Sequence, residues 1–233
     1  MRKAIQKECR LCSVADCCLA STSVRRREDI SVQPWCYHYR AHDVIYHEAT
    51  PPNGVYCVNA GLVKIYRTGS DGRQTIVRLA GPGQILDFPL LQQGSATRTT
   101  AEAVTDVSIC FLERSLFCSL IVSHPDICQR FMTVLGREFD ELELRLTERS
   151  QHTVRQRVAT LVLKFRQANG GENRFQIPLT RNEMAEMIGS TNESVTRSIS
   201  EFRRCGLISV QGHRFETHDA QRLAAISRSV DLS

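Results

Sequence analysis

The sequence predicts an α+β chain: a strand-rich N-terminal part, one long helix and a C-terminal winged helix-turn-helix. Three observations carry that expectation. From about Arg40 to Glu113 short apolar runs alternate with turn residues, and from Pro125 to Ser150 apolar residues fall at helical steps. Past Asn169, two capped helices joined through a glycine precede a hairpin.

The runs VYCVNAGLVKIYR, QTIVRLA and VSICFL are punctuated by PPNG, TGSDG, GPG and QQGS. Many short strands separated by turn signals make a β-sandwich or a β-barrel. The period then changes. Ile127, Phe131, Leu135, Phe139, Leu142 and Leu146 recur at steps of four, four, four, three and four, a stripe on a helix about 26 residues, or roughly 39 Å, long. Its other faces are heavily charged (REFDELELRLTER), which suits the coiled-coil seam of a dimer as well as a core-facing helix. A further helix from about Val154 to Gln167 stops at the breaker Asn169-Gly170-Gly171.

In LTRNEMAEMIGSTNESVTRSISEFRRCGLISVQGHRFET, Thr180 and Glu183 form a T-x-x-E capping box that starts a helix. Met184, Ala185, Ile188 and the turn residue Gly189 end it, and Ser190 or Thr191 caps a second helix. Two short helices joined by a Gly turn are a helix-turn-helix. In the second, Val195, Ile199 and Phe202 face inward, which leaves Asn192, Glu193, Thr196 and Arg197 outward. Glu193 and Arg197, four apart, suit a surface salt bridge. They equally suit base readout, Glu accepting from cytosine N4 and Arg bonding guanine O6 and N7 in the major groove. LISV and RFET around Gln211-Gly212 then form a hairpin, the wing.

With 42% hydrophobic and 24% charged residues, and no apolar run near the roughly 18 needed to cross a bilayer, the chain is expected to be soluble, with no membrane partner. The opening MRKAIQKECRLC leads into no apolar h-region or small-residue cleavage site, so a cytoplasmic protein is expected. Reducing cytosol disfavours a disulfide framework and favours metal or redox roles for cysteine. Four of the ten cysteines, Cys9, Cys12, Cys17 and Cys18, fall in the first eighteen residues; Cys36, Cys57, Cys110, Cys118, Cys128 and Cys205 are scattered. The net charge of +5 is concentrated after Arg149, where 12 basic residues face 8 acidic ones, suiting a polyanion partner or a solvated basic surface. There is no P-loop, G-x-S-x-G or H-E-x-x-H, so no enzyme is expected.

Nearly the whole length resembles the CRP/FNR family of bacterial transcription regulators. GSTNESVTR is similar to the family's G-x-[ST]-x-E-[ST]-[VI]-x-R signature, with Glu193 and Arg197 at its fixed positions. The resemblance implies a cyclic-nucleotide-binding-type β-roll over residues 21–124 and a dimerisation helix over 125–152. It also implies a winged helix-turn-helix over 153–233 that reads double-stranded promoter DNA as a homodimer and contacts RNA polymerase. Thr180, Thr191, Asn192, Glu193, Thr196 and Arg197 are the expected DNA-facing residues, and the stripe Ile127, Phe131, Leu135, Phe139, Leu142 and Leu146 the expected dimer interface. Asn192 stands where cyclic-AMP receptors carry Arg, and Thr196 is similar to the Ser of the FNR type, which reads TTGAT.

The nucleotide site of the cyclic-AMP receptors is not matched, because Phe88 occupies the position of the ribose-binding Glu, although Arg98 lies near the phosphate-binding Arg. In residues 1–20, Cys9, Cys12 and Cys18 form C-x2-C-x5-C, similar in spacing to the FNR cluster loop, with Cys110 at the place of its fourth ligand. The resemblance therefore implies an oxygen-labile [4Fe-4S] cluster on Cys9, Cys12, Cys18 and Cys110, four soft donors matched to iron. Cys17 keeps C-x2-C-x4-C open as the competing choice, and zinc also suits such thiols. The alternatives are a regulator answering nitric oxide through a haem held by His38, His42 or His47, or a thiol-disulfide switch built on Cys36 and Cys57.

Overall fold

In a computed structural model the structure describes residues 5–6, 35–51, 53–87 and 96–228. The chain divides into two compact units, Met1–Glu138 and Phe139–Ser233. Cys9, Cys12, Cys17, Cys18 and Phe88 lie outside the described residues.

Among the described residues, the first unit is built on eight strands: β1 (Ile5–Gln6), β2 (Trp35–Tyr39), β3 (Val44–Tyr46), β4 (Gly54–Ala60), β5 (Val63–Thr68), β6 (Gln74–Ala80), β7 (Thr100–Ala103) and β8 (Val107–Glu113). They form two four-stranded sheets, ordered β1-β2-β8-β4 and β3-β7-β5-β6, with every described pairing antiparallel. Alternation along the strands sends Tyr39, Val58, Val107 and Ile109 into one core with Ile45, Val63 and Ile65, as a half-buried sheet requires. The turn between β4 and β5 depends on Gly61: its φ is +88°, and a Cβ there would lie 2.3 Å from the carbonyl oxygen of Asp106.

A helix unmarked in the sequence pattern, α1 (Arg114–Ser123), follows β8 directly. The long helix α2 (Pro125–Gln151) begins with Pro at its first position, where a missing N–H is harmless. Its stripe is divided by packing. Ile127 and Phe131 are each 2% exposed and close a second core with Val55, Ile85 and Phe117, against which Leu135 also packs. The Phe117 and Phe131 rings meet edge to face at 5.2 Å. Ile127 and Phe131 are thus buried in the first unit's own core, and Leu135 is partly buried against it. Phe139, Leu142 and Leu146 remain exposed.

Arg78 on β6 is buried and donates to the carbonyls of Ile85 and Leu86 and, from Nη1, to Glu138 Oε1 at 3.2 Å. A buried guanidinium needs such a set of acceptors, and here it ties the backbone after β6 to α2.

The second unit contains α3 (Val154–Ala168), β9 (Arg174–Gln176), α4 (Arg181–Ile188), α5 (Asn192–Arg204), β10 (Ile208–Gln211), β11 (Arg214–Thr217) and α6 (Ala220–Arg228). Strands β10 and β11 form the expected hairpin, and β9 adds a third strand that the sequence reading did not mark. Helix α3 packs on α4, α5 and α6. Among the described residues, no helix is long and apolar enough to cross a membrane.

Candidate nucleic-acid interface and cysteine row

The two short helices are set by local chemistry. Thr180 Oγ1 accepts from the Glu183 N–H at 3.2 Å while Glu183 Oε2 accepts from the Thr180 N–H at 2.9 Å, so the capping box is closed in both directions. Gly189, at φ +66° and ψ +56°, ends α4 in the left-handed region. Thr191, rather than Ser190, caps α5 by accepting from the Ser194 N–H at 3.3 Å.

Val195, Ile199 and Phe202 are buried, which fixes the rotation of α5 about its axis. Arg155 on α3 adds a brace: its Nε donates to Glu201 Oε1 at 2.8 Å and its guanidinium lies 5.7 Å from the Phe202 ring centre. Asn192, Glu193, Thr196 and Arg197 consequently share one exposed face. Thr196 donates to Asn192 Oδ1 at 3.1 Å. Among the described residues no ion pair joins Glu193 to Arg197, so the salt-bridge reading of that pair has no support in the geometry. Beyond this face, Arg203 and Arg204 on α5 are exposed as well, as is Arg214 on β11, two residues after the wing-turn Gly212.

In the first unit, Cys110 on β8 is in register with Cys36 on β2 and with Cys57 on β4. Strand β1 adds Ile5 opposite Cys36, so one row runs Ile5, Cys36, Cys110, Cys57 across four strands. The Sγ atoms of Cys36 and Cys110 are 3.4 Å apart. All three cysteines are thiols; Cys36 and Cys57 are buried and Cys110 half-buried.

Residues 37–124 match the cyclic nucleotide-binding domain and residues 156–226 the Crp-like helix-turn-helix domain. The chain belongs to the CRP/FNR family of DNA-binding transcription regulators. Within it, the chain is 28% identical to the CRP-like cAMP-activated global transcriptional regulator of Mycobacterium tuberculosis, over 81% of this chain and 86% of that one. It is 29% identical to the transcriptional activator protein FnrL of Cereibacter sphaeroides, over 76% and 73%. The similarity to the transcriptional activator protein anr of Pseudomonas aeruginosa is 23% but spans 97% of this chain and 95% of that one. Among solved structures, FixK2 from Bradyrhizobium japonicum superposes with a TM-score of 0.76 at 26% identity, covering 83% of this chain and 97% of that chain.

The CRP/FNR architecture leaves the expected sensor residues in unequal positions. Cys36 and Cys57, the expected redox pair, are separated by β8, two strand spacings or about 9.6 Å, and Cys110 stands between them. Of the expected haem histidines, His38, His42 and His47 are all exposed, and among the described residues no three His, Cys, Asp or Glu side chains converge to hold a metal ion. Two contributors went unread in the sequence. Arg155 and Arg78 are ordinary charged residues of amphipathic elements.

Proposed function

We propose that this regulator holds a [4Fe-4S] cluster on Cys9, Cys12, Cys18 and Cys110 and that loss of the cluster in oxygen controls its binding to DNA. The observation carrying this reading is the row that begins at Ile5. Pairing of Ile5 with Cys36 anchors the N-terminal segment two strand spacings, about 9.6 Å, from Cys110. Cys9 follows Ile5 by four residues, a reach of up to about 14 Å at ~3.5 Å per residue, so chain length permits the N-terminal thiols to meet Cys110. The donor set fits iron: soft sulfur, with Cys110 half-buried rather than sealed in the core. Bound there, the cluster would supply an oxygen-labile, redox-active group. The similarity to anr supports the reading because, at 97% of this chain, it takes in the cysteine-rich N-terminus. A cyclic nucleotide is disfavoured by Phe88, which offers nothing to a ribose hydroxyl.

On the DNA side, a homodimer places one α5 in each of two successive major grooves of a pseudo-palindromic promoter site. Glu193 and Arg197 then read base edges, helped by Asn192 and Thr196, while Thr180 and Thr191 lie at helix starts beside phosphate. The bound dimer works in the cytoplasm and contacts RNA polymerase.

The test is anaerobic purification with measurement of iron, sulfide and visible absorbance, followed by air. Serine at Cys9, Cys12, Cys18 or Cys110 is expected to abolish the absorbance, and Cys17→Ser to keep it. Iron lost in Cys17→Ser but kept in Cys18→Ser would exchange the third ligand. Retention in all five variants would overturn the cluster.

A further inference from the structure

We propose that Cys36 and Cys110 form a redox-active dithiol, a modification site that closes to a cross-strand disulfide under hydroperoxide. The two residues are directly opposed in the antiparallel pairing of β2 and β8. Directly opposed residues have Cα atoms about 4.5–5.5 Å apart, inside the ~4.4–6.8 Å window of disulfides, so no backbone shift is required. The sulfurs are 3.4 Å apart and must close by about 1.4 Å to reach bonding distance. Side-chain rotation supplies that movement. Cys57 is also opposite Cys110, and its Sγ lies 3.9 Å from the Val58 carbonyl oxygen. The 3.4 Å sulfur–sulfur contact singles out Cys36 as the proposed partner.

Exposure sets the order of events. Cys36 is 3% exposed and Cys110 is half-buried, so the oxidant meets Cys110 first. The Cys110 thiolate attacks the terminal oxygen of a hydroperoxide, the O–O bond breaks, an alcohol (water, from hydrogen peroxide) leaves, and Cys110 becomes a sulfenic acid. The Cys36 sulfur then attacks the Cys110 sulfur, forming the S–S bond and expelling the sulfenic oxygen as water. Two thiols have lost two electrons and two protons, and one peroxide has been reduced by two electrons. A dithiol reductant reverses the bond by exchange.

The dithiol stands on its own geometry, whereas its consequence for iron rests on the cluster reading: while the disulfide is closed, Cys110 has no thiolate to offer. The experiment treats full-length cluster-free protein, reduced and then freed of reductant, with hydrogen peroxide. Free thiols are counted, and tryptic peptides are mapped by mass. Arg40 separates Cys36 from Cys57, and Arg98 and Arg114 bound the Cys110 peptide, so each pairing has its own mass. The expected result is a loss of two thiols and a Cys36–Cys110 cross-link that persists in Cys57→Ser and is absent from Cys36→Ser. A Cys110 cross-link to Cys57 or to the N-terminal cysteines, or Cys110 oxidised to sulfinic acid with Cys36 still a thiol, overturns the proposal. Iron uptake separates the two readings. Oxidised protein is expected to take up iron only after reduction; a cross-linked protein that loads iron normally would remove Cys110 from the cluster and leave the dithiol standing.

Discussion

Arg149, in the last turn of α2, donates from Nη2 to the carbonyl oxygen of Met187 at 3.3 Å. Met187 lies in the final turn of α4, whose end carbonyls have no partner inside the helix, so a cation there satisfies both a hydrogen bond and the helix dipole. The same guanidinium lies against the helix-turn-helix glycine: a Cβ on Gly189 would stand 3.3 Å from Arg149 Nε.

Gly189→Ala is expected to cost about 1–2 kcal/mol from the left-handed backbone alone, with more from displacing Arg149. Thermal unfolding of the variant measures it. In an Arg149→Ala background the cost is expected to shrink; an unchanged cost would show that the contact with Arg149 contributes nothing.

Arg197→Ala is expected to lose about 1–3 kcal/mol of affinity for the cognate site and to relax discrimination at one guanine, with little effect on random DNA. Equal losses on both DNAs in a titration at fixed salt would make Arg197 a phosphate contact. No loss on either would exclude it from the interface.

Phe139, Leu142 and Leu146 are 62%, 46% and 71% exposed on α2 in the single chain, an apolar face suited to a second copy. Asp140, Glu141 and Glu143 flank this face without interrupting it. The cluster-free protein is therefore expected to remain at least partly dimeric at micromolar concentration, with the signal acting mainly by a shift between two dimer states. Leu142→Glu places like charges across the two-fold seam and is expected to give the 26.3 kDa monomer. A monomeric wild-type apoprotein would defeat the expectation.

Burial holds Tyr46 and Tyr56 in the protonated form, raising both phenols above their usual range; the charge of Asp87 adds to the effect at Tyr46, and Tyr39 and Tyr37 add to it at Tyr56. A raised folded value means that the unfolded chain loses these protons first. Their contribution to stability is complete below the unfolded phenol's pKa of about 10 and falls as pH rises from there toward the folded values. Denaturant midpoints are expected to decline above that pH, and Tyr46→Phe, which removes the ionisable group, to flatten the decline. An equally steep decline in Tyr46→Phe would assign it elsewhere.

Neighbours along the chain settle the local features of this fold. Thr180 and Glu183 are three residues apart and close their capping box wherever a helix starts. Gly189 marks the turn because its backbone favours the left-handed region, and Val195, Ile199 and Phe202 set the exposed face of α5 by helical period alone. Tertiary structure decided the rest. Cys36 and Cys110 are 74 positions apart, and Arg149 and Met187 are 38 apart, so neither contact leaves a trace in local spacing. Periodicity likewise placed Ile127, Phe131 and Phe139 on one stripe, but packing against Phe117 and Val55 buried the first two and left the third to solvent. The physical reason is one of range: caps and periods follow from dihedral angles and hydrogen bonds within a few residues. Strand register, and the choice of which apolar surface is covered, exist only once distant segments have met and excluded water between them.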